Sequence, residues 1–216
     1  MMTFRLVASI PIKKPGEVGL VLNEAFVDLL ELRVDYMKDP TELDYDFLKN
    51  RNVIVTLRDF KEGGYIKHDD AVKERLLRKL KDMGVMYDVE MSFISRYNVD
   101  YEGEIVSLHI IDGSKVDKPS IEEKVRFYSS RAYVVKVASV PFPGYRSFLT
   151  SLLEASENVA VMPIGTSALE RIAYAFLGSK LLYCYAKEQT APGQPRCKDM
   201  LWIRKMIAGV NSPVNA

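Results

Sequence analysis

The sequence predicts a single (β/α)8 TIM barrel, and three observations carry that prediction. Eight short apolar runs alternate with amphipathic stretches along the chain. No linker, repeat or low-complexity segment interrupts them, so residues 1–216 read as one barrel domain, a length such a fold accommodates. Several of the runs also end in a charged or polar residue, and barrel enzymes gather their reactive groups at the carboxyl ends of the strands. The competing architecture is an open doubly wound sheet, but no glycine-rich phosphate loop follows the first run.

The first predicted strand, 4–9, ends at Ser9. The second, 29–34, contains Glu31 and Arg33 and leads into Asp35. Its two-residue period puts these three on one face and Leu30, Leu32 and Val34 on the other. If the leucines meet the helices, the charged trio points into the barrel, either as a functional group or as a plain buried ion pair. The third strand, 53–58, ends at Arg58. A helix over 69–83 follows, with Val72, Leu76, Leu77 and Leu80 at helical spacing and Gly84 as its stop. Strands at 86–90 and 105–109 come next, the latter ending at His109. A helix over 120–130 opens with Ser120 as N-cap and Glu123 at the capping-box position. The remaining strands are 133–138, 159–163 and 181–185. Helices at 166–177, stopped by Gly178, and at about 198–208, carrying Trp202, complete the pattern.

Composition excludes several classes of function. Thirty basic residues against 29 acidic ones leave a net charge of +1, which argues against a dedicated nucleic-acid or anionic-membrane binder. No apolar run reaches the roughly 18 residues of a membrane span. Met1-Met2-Thr3-Phe4-Arg5 leads straight into a strand without a signal-peptide layout, so the expected location is cytoplasmic. Cys184 and Cys197 are too few and too oddly spaced for a zinc site or a disulfide framework, and are expected to be free thiols.

The chemistry centres on Lys136, the lone charge in Tyr133-Val134-Val135-Lys136-Val137-Ala138. Burying an ammonium is costly, whereas a desolvated amine is a nucleophile. The bland alternative is a lysine snorkelling from a strand end. His109 lies on the neighbouring predicted strand, and adjacent strands are only about 5 Å apart. An amine and an imidazole that close suggest carbonyl chemistry: the amine forms an imine, and the imidazole moves a proton on the next carbon. His68, beside Asp69 and Asp70, reads as a surface residue. The polar segment from Lys187 to Arg196 could fold over a ligand, with Thr190 and Gln194 offering hydrogen bonds. Arg171 could face a carboxylate. From their positions alone, each of these three reads first as a solvated loop or helix residue.

With those residues placed, the chain resembles the type I 3-dehydroquinate dehydratases, the Schiff-base enzymes of the shikimate pathway. The resemblance runs from Val7-Ala8-Ser9 to Thr190-Ala191-Pro192-Gly193-Gln194. It rests on Glu31-Leu32-Arg33-Val34-Asp35, Thr56-Leu57-Arg58 with Glu62-Gly63-Gly64, His109, and Val135-Lys136-Val137-Ala138. It implies that Lys136 forms the imine with 3-dehydroquinate, that His109 is the general base and acid, and that Glu62 orients the histidine. Glu31, Arg33 and Arg58 would hold the ring hydroxyls. Arg171, Thr190, Gln194 and Ser9 would grip the substrate carboxylate and close the lid. The implied product is 3-dehydroshikimate, formed by syn elimination without a metal or bound cofactor, in a protein that is commonly a homodimer. Flanking cations, Arg33 and Arg58, would favour the neutral amine that attacks. The sequence departs from the family's usual pattern at Ile110-Ile111 after the histidine, at Thr190 where serine is common, and in Met162-Pro163-Ile164-Gly165-Thr166-Ser167. Two rival readings fit the same lysine. A class I aldolase would share the lysine but break a carbon–carbon bond, and a binding-only barrel would have lost catalysis.

Overall fold

A computed structural model describes residues 4–22 and 27–210. Met1 to Thr3, read above as the lead-in to a strand, lie outside them. Eight parallel strands are laid down in sequence order: β1 (Arg5–Pro11), β2 (Leu29–Arg33), β3 (Val53–Thr56), β4 (Tyr87–Glu90), β5 (Ile105–Ile110), β6 (Val134–Ser139), β7 (Val159–Pro163) and β8 (Leu181–Tyr185). Each pairs with its sequence neighbour from β1 to β7, and β8 pairs with β1. The remaining seam is bridged where the Lys180 amide donates to the Val159 carbonyl at 2.9 Å and the Val161 amide donates to Ser179 Oγ at 3.0 Å. The result is a nearly closed (β/α)8 barrel, as the alternation of runs predicted.

Among the described residues, seven helices cover the outside: α1 (Glu17–Val21), α2 (Asp70–Asp82), α3 (Met91–Tyr97), α4 (Lys118–Ser129), α5 (Tyr145–Ala155), α6 (Ala168–Phe176) and α7 (Cys197–Val210). The crossover from β2 to β3 carries three short 3-10 turns instead of an α-helix. The expected cap of α4 is corrected by three residues. Asp117, not Ser120, caps the helix, accepting from the Ser120 amide, because Pro119 is tolerated inside the first turn where no amide is needed.

Two apolar layers result from the strand period. Leu30, Leu32, Val55, Val89, Val106, Val135 and Val137 face the helices, while Val7, Leu29, Ile54, Ile105, Val134, Ala160 and Leu181 fill the barrel floor. One further step along β1 to β6, toward the carboxyl end, the inward positions turn polar. Ser9, Glu31, Thr56, Asp88, Ser107 and Lys136 are all buried there, and the site is built on that layer.

The two cysteines correct a second expectation. Cys184 in β8 and Cys197 at the start of α7 form a disulfide, with Cα atoms 5.0 Å apart. The eighth strand and the last helix pack side by side on the barrel wall, so a spacing that looked arbitrary in sequence becomes a short distance in space.

Candidate active site

Lys136 and His109 sit on adjacent strands with their side chains in the same cavity. In the register of β5 and β6, Ser107 lies opposite Lys136 and His109 opposite Ala138, so the imidazole stands one inward step nearer the mouth than the amine. The cavity, about 160 Å³, is also lined by Glu31, Arg33, Arg58, Glu62, Arg171, Thr190 and Gln194. All the proposed site residues line it except Ser9, which bonds to two of them. His68 does not. Its size suits a small molecule and not a polymer.

The amine is held by carboxylates. Lys136 Nζ donates to Asp88 Oδ2, and Glu31 Oε1 lies 3.8 Å away. The flanking cations and low dielectric expected from the sequence therefore describe only part of its setting. Arg58 does lie in this layer, but its Nη2 is paired with Asp88 at 2.8 Å and its Nη1 donates to Glu90 at 2.8 Å and Ser107 at 2.7 Å. A buried ammonium needs a partner, and Asp88 supplies it. Burial disfavours the charged Asp88 carboxylate, but Arg58 and Lys136 outweigh that and hold it below the usual carboxylate range.

His109 is prepared as a base. Burial first, then the charges of Arg58 and Lys136, lower its pKa well below the ordinary value, so the imidazole is neutral at pH 7. Glu62 reaches it from the turn Phe60–Glu62: Glu62 Oε2 accepts the His109 amide at 2.9 Å and lies 3.1 Å from Nδ1. An ionised Glu62 fixes the proton on Nδ1 and leaves Nε2 as the basic nitrogen. Burial, reinforced by the Glu90 charge, raises Glu62 to about 7. The turn that carries it depends on Gly64, where a Cβ would stand 2.3 Å from the Arg58 carbonyl oxygen.

Glu31 accepts from Ser9 and from Thr56 at 2.9 Å. Arg33 pairs with Asp35, not with Glu31, through two bonds of 2.7 and 2.8 Å. Asp35 belongs to the 3-10 turn after β2, and so leaves the strand face on which its spacing had placed it.

Arg171 is buried and donates only to carbonyls, Pro163 at 2.8 Å and Pro192 at 2.7 Å. Burial lowers its pKa to about 10, and among the described residues no carboxylate is paired with it, which makes it a cation ready for an anionic ligand. The loop 187–196, expected from the sequence to act as a lid, is organised by Gln194, whose Oε1 accepts the amides of Thr190 at 2.9 Å and Ala191 at 3.2 Å. Thr190 in turn meets Ser9 at 2.7 Å, joining the lid to β1. Gly193 has φ +80°, and a Cβ there would stand 2.3 Å from the Thr166 carbonyl oxygen, so the lid's glycine is required twice over.

Five residues of the site were not singled out from sequence: Asp88, Glu90, Ser107, Lys73 and Tyr183. The first two were visible in principle, since Tyr87-Asp88-Val89-Glu90 alternates as the second strand does. Lys73 gave no such signal. It stems from α2, among charged neighbours, and is buried with its Nζ on Glu90 Oε2.

An inward lysine, a neutral imidazole one step above it and a carboxylate on that imidazole define an imine-forming lyase on a parallel barrel. The type I 3-dehydroquinase family matches residues 7–210, and the chain belongs to that family. The 3-dehydroquinate dehydratase of Saccharolobus solfataricus is 39% identical over 214 residues, 96% of each chain. That of Sulfolobus acidocaldarius is 36% identical over 215 residues, covering 96% of this chain and 95% of its own. Among solved structures, the 3-dehydroquinate dehydratase of Geobacillus kaustophilus superposes with a TM-score of 0.76 at 21% identity, over 96% of this chain and 92% of its own. That likeness speaks to the fold.

Proposed function

We propose that this protein dehydrates 3-dehydroquinate to 3-dehydroshikimate by syn elimination through an imine on Lys136. The observation that carries the reading is the shared cavity of Lys136 and a neutral His109 clasped by Glu62. Nζ of Lys136 attacks the C3 ketone, whose oxygen leaves as water. The resulting iminium draws electrons from the C2–H bond, and His109 takes that proton. The C1 hydroxyl then leaves with the C1–O bond pair and collects the proton from His109, forming water. A further water hydrolyses the iminium and restores the amine. Glu31, Arg33 and Arg58 hold the ring hydroxyls. Arg171 takes the substrate carboxylate, and Thr190, Gln194 and Ser9 close the lid over it. The chain is read as cytoplasmic and as a homodimer, the assembly that its resemblance to the family implies.

The test is incubation with 3-dehydroquinate while following the ultraviolet absorbance of the conjugated enone. Growth of that absorbance at a rate proportional to enzyme supports the reading, and a flat trace refutes it.

A further inference from the structure

Tyr183, in β8, is 4% exposed, yet its hydroxyl has no hydrogen-bond partner among the described residues. Buried hydroxyls are normally paired, so an orphan calls for a physical account. The residue lines the cavity of Lys136 and His109, and Lys136 Nζ lies 4.8 Å from its ring centre. Burial first, then the carboxylates of Glu31 and Asp88, push the phenol well above its ordinary value, so it keeps its proton and stays a donor.

The chemistry proposed above creates a demand for such a donor. As the amine adds to the ketone, the carbon–oxygen π pair moves onto oxygen, and a donor aimed there stabilises the developing charge. The cavity's cationic groups beside the amine already carry carboxylate partners, and their remaining N–H groups serve the ring hydroxyls. Arg58 is bonded to Asp88, Glu90 and Ser107, and Arg33 to Asp35. His109 is committed to Glu62 through Nδ1 and to the neighbouring carbon's proton through Nε2. An ionised Asp88 or Glu31 can only accept. Among the described residues, Tyr183 carries the unpaired hydroxyl on a ring that faces the amine.

We propose that the Tyr183 hydroxyl hydrogen-bonds the substrate oxygen on the carbon that Lys136 attacks, holding it while the nitrogen–carbon bond forms. The phenol keeps its own proton, and the oxygen is protonated by the hydrogen that the attacking nitrogen sheds. This inference rests on the imine reading, and wild-type enzyme measured alongside keeps the two apart. Absence of both enone and adduct from wild type overturns the activity reading, and this inference with it.

The variant is Tyr183→Phe, which keeps the ring against Lys136 and removes only the unpaired hydroxyl. Single-turnover mixing with 3-dehydroquinate, quenched in borohydride at increasing times, gives the rate at which the Lys136 adduct forms. That rate and kcat/KM are expected to fall roughly tenfold or more. The melting midpoint should equal or exceed that of wild type, because an unsatisfied group has been removed. Adduct formation at the wild-type rate overturns the proposal, whether or not turnover or stability changes.

Discussion

Glu62 holds His109 at two points, accepting its backbone N–H at 2.9 Å and facing its Nδ1 at 3.1 Å. One carboxylate thus sets the position of the strand end and the tautomer of the ring. Burial and the Glu90 charge raise Glu62 to about 7, while the imidazole's own pKa lies well below 6.5. The base therefore needs Glu62 ionised, and kcat/KM should fall as pH drops through about 7, not through the lower value of the histidine. Glu62→Gln keeps an oxygen on the His109 amide and Nδ1 but removes the carboxylate charge that holds the Nδ1 proton and stabilises the imidazolium. It should lower kcat roughly a hundredfold and erase the limb near pH 7. An acid limb lying below pH 6 in wild type would contradict the assignment.

The same shift has a cost in stability, and its sign is fixed. A carboxyl whose folded pKa lies above its unfolded value binds the proton more tightly in the folded state. Its contribution is therefore full below about 4.5 and lost as pH rises through about 7. The loss is at most about 3 kcal/mol. Urea midpoints should show Glu62→Gln more stable than wild type at pH 8 and no more stable at pH 4. Equal differences at the two pH values would contradict the buried carboxylate.

Lys73 and Glu90 form a buried pair, and the other oxygen of Glu90 holds Arg58 Nη1 and the Asp59 amide, each at 2.8 Å. Lys73→Met leaves Glu90 buried with one cation fewer and should destabilise by roughly 3–5 kcal/mol. The double variant Lys73→Met/Glu90→Gln removes both charges and should recover most of that loss. Urea unfolding of the three proteins measures it, and a single variant within about 1 kcal/mol of wild type would contradict the pairing.

The disulfide closes the segment that carries the lid, with 13 residues of separation between Cys184 and Cys197. A loop of about that size contributes ~3 kcal/mol through the unfolded chain. The native protein should show no titratable thiol. Reduction should expose two, lower the melting midpoint and raise KM, since Thr190 and Gln194 lie inside the loop. Two free thiols before reduction would refute the bond.

How much of this was legible in the sequence follows from which interactions are local. The inward face of β2 could be read because the two-residue period is a property of the strand itself, and so Glu31 and Arg33 fell into place. Asp35 did not, because a 3-10 turn begins after Arg33 and breaks the period. Asp88 was missed although its strand alternates in the same way. Its importance comes from meeting Lys136 and Arg58, 48 and 30 positions away, and spacing along one strand cannot show that. The cysteine pairing failed for the same reason, since it depends on how α7 returns to β8.

The most direct test of the account is where the substrate becomes covalently attached. Wild-type protein reduced with borohydride in the presence of 3-dehydroquinate should gain the mass of one trapped ligand, and peptide mapping should place it on Lys136. Lys136→Ala should gain nothing and form no enone. An enzyme that makes the enone while its Lys136 stays unmodified, or that carries the adduct on another lysine, would contradict the account.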